Sequence, residues 1–221
     1  MAKTKIEFVC RECGSSHHQW AGQCLDCKEW NTLEEVVISQ ATSSKPESLK
    51  DLPSSKVQNL SEIKSQNNHR LSTGLSELDR TLGGGLVDGS VVLIGGDPGI
   101  GKSTLILQAI AAINASSTTL YVSGEESAEQ VSDRAIRLGI KEDILFIGET
   151  HLEKIIKISK DTRPKVIVID SIQTMVTDLS NSAPGSVTQV RDCAAQLTQY
   201  AKQTNTILLM IGHVTKGGAL A

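Results

Sequence analysis

The sequence predicts an α/β fold, in which helices cover a parallel β-sheet, preceded by a small cysteine-rich module. Short apolar runs, typical of strands buried on both faces, alternate with helical stretches from residue 91 onward. A glycine-rich loop follows the first apolar run, and four of the five cysteines lie within the first 27 residues. A chain of 221 residues accommodates one ordinary core and one small module.

The individual elements follow from the spacing of apolar residues. After the glycine-rich loop, Ile106, Ile110 and Ile113 recur at helical spacing. Strands are expected at residues 91–94, 120–122, 144–147, 166–169 and 207–211. Helices are expected at residues 127–138, 151–160 and 187–202. Strands that alternate with helices favour a parallel sheet covered on two sides.

Composition narrows the class of protein. The chain has no apolar run long enough to cross a membrane and no apolar stretch at its start typical of a signal peptide, so we expect a cytoplasmic protein without a membrane partner. In a reducing compartment, paired cysteines hold metal or do redox chemistry more often than they form disulfides. The net charge is −3, and four thiolates on one Zn²⁺ would bring it to about −5. A net negative charge is not typical of a protein that binds nucleic acid through charge alone.

The chain is expected to contain three parts. Residues 1–35 hold the paired cysteines and three of the six aromatic residues, and are predicted to form a four-cysteine, zinc-ribbon-like module. Residues 36–69 are predicted to be a flexible polar linker, because the stretch from Ser39 to Ser65 carries eight serines and two prolines without an apolar period. Residues 70–221 are predicted to form the α/β domain.

Cys10, Cys13, Cys24 and Cys27 follow the pattern C-x2-C-x10-C-x2-C. Two such pairs present four thiolates to one tetrahedral ion, which predicts a closed, structural zinc site. A rubredoxin-like iron site and a redox dithiol pair are the alternatives. Zinc would supply the folding free energy that so small a module cannot obtain from apolar burial.

Four other residues of this module have two interpretations each. His17 and His18 lie between the cysteine pairs and are interpreted as residues of an exposed loop, with metal ligation as the alternative. Trp20 and Trp30 are interpreted as the small core of the module, and stacking on a DNA base or on a partner is the alternative.

The stretch GGDPGIGKST matches the phosphate-binding pattern G-x-x-x-x-G-K-[ST] between a predicted strand and a predicted helix. Backbone N–H groups of such a loop surround phosphates, the lysine reaches the β and γ oxygens of ATP or ADP, and the hydroxyl ligates Mg²⁺. Lys102 and Ser103 occupy those two positions. The predicted nucleotide-binding residues are Gly96, Asp97, Pro98, Gly99, Ile100, Gly101, Lys102, Ser103 and Thr104.

Three acidic residues are candidates for the remaining chemistry of ATP hydrolysis. Asp170 ends the apolar stretch KVIVID and is predicted to hold Mg²⁺, directly or through water, with Ser103. Glu125 and Glu126 follow the second predicted core strand, on the edge where the phosphate loop lies. Either could activate water, and both could instead favour the start of the next helix.

The order of several motifs resembles the bacterial DNA repair family RadA, also called Sms. The motifs are the two cysteine pairs, RLSTGLSELDRTLGGGL, GGDPGIGKST, YVSGEES, DSIQT and SAPGSVTQVRDC, and the match runs from about residue 5 to residue 221. The resemblance implies a RecA-like P-loop ATPase core related to DnaB-type helicases. It implies a homo-hexameric ring around single-stranded or branched DNA that drives branch migration beside the RecA recombinase.

The resemblance also implies roles for individual residues. Glu125, the first acid after YVSG, would be the base that activates water. Residues 178–190 would form a loop that faces the DNA channel. His213 and Lys216 would lie near the γ-phosphate sensor and the DNA-facing loop; an ordinary structural histidine is the alternative for His213. The four-cysteine module would contact the RecA recombinase or DNA.

Two departures from the family pattern stand out. In the family the chain continues through a K-N-R-F-G motif and a Lon-protease-like domain, so we expect that this chain is truncated at its C-terminus. The family pattern also leads us to expect an acid where Gly217 stands. A rival function is a nucleotide-gated adaptor, in which ATP controls assembly and the zinc module recruits a partner.

Overall fold

The computed structural model describes residues 5–10, 15–38, 59, 70–180 and 182–213. The chain forms two compact units. The cysteine unit comprises described residues 5–10 and 15–38, and the P-loop unit comprises described residues 70–180 and 182–213. Most of the predicted linker lies outside the described residues, and so do Cys13, Lys216 and Gly217.

The cysteine unit is a three-stranded antiparallel sheet that the sequence analysis did not predict. Its strands are β1 (Lys5–Cys10), β2 (Ser16–His17) and β3 (Leu33–Ile38), in the order β2-β1-β3. The register places Cys10 opposite Leu33, and both side chains are buried. A tight turn follows Cys24, where Lys28 has a φ of 66° and donates its backbone N–H to the Cys24 carbonyl at 3.0 Å.

The P-loop unit contains a five-stranded parallel sheet, which confirms the predicted fold class. Its strands are β4 (Val91–Gly96), β5 (Thr119–Ser123), β6 (Leu145–Gly148), β7 (Val166–Asp170) and β8 (Ile207–His213), in the order β4-β8-β7-β5-β6. Its α-helices are α1 (Ser76–Thr81), α2 (Lys102–Asn114), α3 (Ala128–Arg137), α4 (Leu152–Thr162) and α5 (Val187–Thr204), and a 3-10 helix spans Ile172–Thr174. Within the described part of the chain, no helix combines the length and apolarity needed to cross a membrane.

Apolar layers on both faces of this sheet explain the continuous apolar runs in the sequence. Along β7, Val166 and Val168 face the layer formed with α2 and α3, whereas Ile167 and Ile169 face the layer formed with α4 and α5. All five side chains of β7 and all five of β5 are buried. Burial of alternate side chains on opposite faces requires an apolar residue at nearly every position, as the pattern predicts.

The strand register brings the carboxyl ends of four strands to one edge of the sheet. Gly96 at the end of β4 pairs with His213 at the end of β8. Asp170 at the end of β7 pairs with Ile211 on one side and with Ser123 at the end of β5 on the other. Ligands of parallel α/β sheets bind at this edge, so the predicted site residues are placed together by the register.

Candidate nucleotide site and metal centre

The loop between β4 and α2 has the backbone shape of a phosphate-binding loop. Gly99 and Gly101 have φ values of 80° and 97°, a region that residues with a Cβ avoid. A Cβ on Gly96 would lie 2.5 Å from Cδ1 of Ile100, so a larger residue here would displace that exposed side chain. No side chain caps the start of α2, and the backbone N–H groups of its first turn are therefore available to an anion.

Lys102 is held at the base of this loop. Its side chain is buried, and Nζ donates to the carbonyl oxygens of Gly96 and Asp97, each at 2.8 Å. A third contact joins Nζ to Nδ1 of His213 at 3.3 Å. The ammonium group thus lies on the carboxyl edge of the sheet, where the phosphates of a nucleotide held by this loop would lie.

Asp170 and Ser103, the two predicted magnesium ligands, are adjacent. Asp170 is buried at the end of β7, and the Ser103 side chain is hydrogen-bonded to its carboxyl group. Burial raises the pKa of Asp170, against the effect of the hydrogen bonds from Tyr121 and Ser103. A nearby cation would relieve that cost, and a hydroxyl beside a carboxylate is an oxygen donor set that suits Mg²⁺.

Tyr121 is a site residue that the sequence analysis missed. Its hydroxyl donates to Oδ2 of Asp170. Burial, followed by the charge of Asp170, raises the pKa of Tyr121, so the phenol keeps its proton and remains a donor. In the sequence Tyr121 is one residue of an apolar strand, and only the pairing of β5 with β7 brings it to Asp170.

Glu125 and Glu126 have different partners. Glu126 pairs with Arg134 of α3 through its Oε1. Glu125 is turned toward the end of β8, where its Oε1 accepts from Ser171 and contacts Nε2 of His213 at 3.0 Å. Only Glu125 is therefore connected to the group of side chains around Lys102, and it is the better placed of the two to act on water.

The turn that carries these two acids depends on a close approach of the backbone. Ser123 Oγ accepts from the backbone N–H of Glu126 at 2.9 Å, and the N–H of Gly124 donates to the Asp170 carbonyl at 2.9 Å. A Cβ on Gly124 would lie 2.2 Å from Oγ1 of Thr174. Ser127 then caps α3 in a capping box with Gln130. Local geometry thus explains Ser123, Gly124 and Ser127 of the motif SGEES.

The segment predicted to face DNA is only partly a loop. Helix α5 begins at Val187 and contains the last four residues of the predicted loop, of which Gln189 and Val190 are buried. The part before the helix exposes Leu179, with 80% of its surface accessible, while Asn181 lies outside the described residues. The loop part of the segment therefore ends at Ser186, which caps the helix that the spacing predicted from residue 187, and the segment implied by the resemblance overlaps that helix by four residues.

The sulfur atoms of Cys10, Cys24 and Cys27 lie within 4.8 Å of one another. Cys10 Sγ and Cys27 Sγ are 3.6 Å apart, close to the separation of two thiolates on one zinc ion. A hydrogen bond with Ser15, supported by backbone N–H groups, lowers the pKa of the Cys24 thiol to about 5, which favours the thiolate that binds metal. These three residues fit a tetrahedral ion; Cys13, the predicted fourth ligand, lies outside the described residues.

Two interpretations of residues around the cysteines were wrong. His17 is not in an exposed loop, because its side chain is 12% exposed and its Nε2 lies 3.5 Å from Cys24 Sγ. Trp20 and Trp30 are not a core, because they are 60% and 68% exposed. Both indole rings lie within 3.9 Å of a Cβ placed on Gly22, so they share one surface of the unit. His18 is exposed, as expected.

Comparison with known proteins agrees with this two-part arrangement. Residues 58–219 match the family described as AAA domain, and residues 8–35 match the family described as rubredoxin metal binding domain. The whole chain is 51% identical to the DNA repair protein RadA of Pseudomonas aeruginosa, over 49% of that protein. The corresponding values are 48% and 50% for RadA of Escherichia coli, and 44% and 49% for RadA of Bacillus subtilis.

The chain belongs to the family described as AAA domain, and over its whole length it is similar to RadA proteins. The resemblance predicted from the motifs is confirmed, and so is the combination of a P-loop ATPase fold with a zinc-ribbon-type metal domain. The chain spans about half the length of the RadA proteins that it matches. The match to a metal-binding domain agrees with the cysteine cluster, and the AAA domain accounts for the phosphate loop.

Proposed function

We propose that this chain is the nucleotide-binding and metal-binding part of a DNA repair ATPase. The observation that carries the proposal is the junction of Lys102, Asp170 and Glu125 at one sheet edge. Lys102 reaches Glu125 through His213, and Ser103 beside Lys102 contacts Asp170. Three groups that ATP hydrolysis requires thus lie at one edge of the sheet: Lys102 begins α2 after β4, Glu125 follows β5, and Asp170 ends β7.

The residues have distinct roles in this proposal. Lys102 and the first-turn N–H groups of α2 bind the phosphates of ATP or ADP, within the loop from Gly96 to Thr104. Ser103 and Asp170 would hold Mg²⁺, which would supply positive charge to the phosphates. Glu125 accepts the proton of the attacking water. Ser171 and His213 both contact Oε1 of this carboxylate, and we assign Oε2 as the acceptor for water.

The assembly and the DNA substrate are part of the same proposal. As implied by the family, the ATPase would form a hexamer on single-stranded or branched DNA and drive branch migration with the RecA recombinase. The support is the name of the relatives, DNA repair protein RadA, at 44–51% identity. Four expectations remain predictions: the cysteine module at residues 1–35, the linker at 36–69, the ATPase domain at 70–221 and a cytoplasmic location.

The deciding experiment measures the nucleotide affinity of this chain and its Mg²⁺-dependent ATP turnover, with and without single-stranded and forked DNA. The matched control is Lys102→Ala. We expect nucleotide affinity to fall about 100-fold in the control, because a charge-assisted contact to the phosphates is lost. Equal affinity in Lys102→Ala and the unmodified chain would contradict the assigned loop.

A nucleotide-gated adaptor is the second candidate, and the exposure of Trp20 and Trp30 favours it. Two large exposed aromatic side chains on one surface are typical of a binding site for a partner. The adaptor predicts that Trp20→Ala with Trp30→Ala abolishes RecA binding, and that ATP turnover is indifferent to DNA. The motor predicts that DNA stimulates turnover and that this stimulation survives both substitutions.

A further inference from the structure

We infer that His213 is a positioning residue that links the phosphate-binding lysine to the catalytic carboxylate. When nucleotide binds, His213 loses its contact with the lysine and keeps its contact with the carboxylate. The inference rests on the proposed function, since it concerns the same site. His213 ends β8, and its side chain is 25% exposed. It lies between Lys102 and Glu125, 3.3 Å from the first and 3.0 Å from the second.

The hydrogen-bond chemistry fixes the direction of this link. The ammonium group of Lys102 has donors only, so Nδ1 of His213 accepts. The ring hydrogen is then on Nε2, which donates to Oε1 of Glu125. The geometry therefore assigns one tautomer to His213 and one role to each ring nitrogen.

All three N–H groups of the Lys102 ammonium group have an acceptor in this structure. Its three N–H bonds serve the carbonyl oxygens of Gly96 and Asp97 and Nδ1 of His213. Phosphate oxygens that enter the loop must take donors from these acceptors, and they carry the charge that an ammonium group prefers. His213 thus competes with the phosphates for Lys102, and the phosphates displace it from Nζ.

The contact at Nε2 does not compete with nucleotide. Glu125 Oε1 also accepts from Ser171, so two donors from different elements hold the carboxylate. Ser171 follows Asp170 directly, and the carboxylate therefore keeps a fixed position relative to the proposed magnesium ligand. The two ring nitrogens have separable effects: Nδ1 weakens nucleotide binding, and Nε2 positions the base.

Three substitutions separate the two effects. His213→Gln places an amide N–H near the Nε2 position, and His213→Asn places an amide oxygen near the Nδ1 position; His213→Ala removes both. The matched control is His151→Ala, because His151 also contacts a glutamate, Glu149, at 3.1 Å but lies away from the phosphate loop. Affinity is measured with a fluorescent ATP analogue and Mg²⁺, and turnover is measured at saturating ATP.

We expect His213→Ala and His213→Gln to bind nucleotide about fivefold more tightly than the unmodified chain, as the loss of one hydrogen-bond competitor predicts. We expect His213→Asn to bind as the unmodified chain does. Turnover should fall about tenfold in the Ala and Asn variants, which leave Glu125 without the donor at Nε2, and should be rescued in His213→Gln. His151→Ala should change neither value.

A spectroscopic measurement tests the link without any turnover. Two-bond ¹H–¹⁵N spectra of the chain, with His213 identified by its loss in His213→Ala, should show the tautomer with hydrogen on Nε2. A non-hydrolysable ATP analogue with Mg²⁺ should shift the Nδ1 signal and leave the Nε2 signal in place. Equal affinities in all three variants, or an Nδ1 signal that nucleotide does not move, would overturn the inference. If Lys102→Ala also leaves affinity unchanged, the proposed function itself fails.

Discussion

The cysteine unit and the P-loop unit bury their side chains by different means. In the P-loop unit, β5 and β7 are buried along their whole length between two apolar layers. In the cysteine unit, the described buried residues are Cys10, Cys24, Thr32 and Leu33, and both tryptophans are exposed. A unit of this size rarely folds on apolar burial alone, so we expect the cysteine unit to depend on its metal ion, whereas the P-loop unit has a core of its own.

Metal removal should have the largest effect on one unit without the other. Chelation, or Cys24→Ser, should unfold the cysteine unit, because metal binding contributes on the order of 10 kcal/mol to such a unit. The chain has two tryptophans, both in this unit, and two tyrosines, both in the P-loop unit. The two indole N–H signals in an NMR spectrum should collapse, while thermal unfolding followed by tyrosine fluorescence should not change. A cysteine unit that keeps its indole signals without metal would contradict the comparison.

Loss of the proposed base is the next test, and it should affect the P-loop unit alone. Glu125→Gln should lower turnover by roughly 100-fold to 10,000-fold, because general base catalysis contributes that much, while nucleotide affinity stays within a few-fold. Glu126→Gln is the matched control, since Glu126 pairs with Arg134. Equal losses in the two variants would refute the assignment of Glu125. The indole signals should be unaffected in both.

A core substitution sharpens the contrast between the two sources of stability. Ile169→Ala removes a fully buried side chain of β7 and should lower the free energy of unfolding of the P-loop unit by about 2–5 kcal/mol. Urea unfolding, followed by tyrosine fluorescence, measures this change. Metal affinity of the cysteine unit should stay the same, and a parallel loss there would show that the units do not fold independently.

The smallest expected effect is a change in the stability of the P-loop unit as the pH falls. Backbone N–H groups and Lys154 lower the pKa of Glu149 to about 2, the His151 N–H contributing most. A carboxyl group whose pKa is lower in the folded chain stabilises it above the unfolded value of 4.5, and this contribution is lost as the pH falls toward 2. Glu149→Gln should therefore cost less than about 1 kcal/mol at pH 7 and a smaller amount near pH 2. Urea titrations of the P-loop unit at both pH values measure the difference, and an equal cost at both would contradict it.

Much of the P-loop unit could be predicted because its signals are local in sequence. Every predicted core strand and helix is present, with ends shifted by at most two residues, since apolar runs and helical spacing record burial directly. Helix α1 was not predicted because its six residues include no buried side chain and no apolar period. The strands of the cysteine unit were missed for a similar reason, since β2 has two residues and the described core there is small.

The sequence by itself determined the fold class, the phosphate loop, the cysteine pattern and the family, because each depends on residue types at fixed spacing. The resemblance implied Glu125 as the base, but only the tertiary structure showed the contacts that distinguish it from Glu126, since their partners, Ser171, His213 and Arg134, come from other elements. The tertiary structure likewise shows that Trp20 and Trp30 are solvent-exposed and that Tyr121 contacts Asp170. Contacts between residues far apart in the chain, such as the 88 positions between His213 and Glu125, arise from strand order and register, which no local pattern encodes.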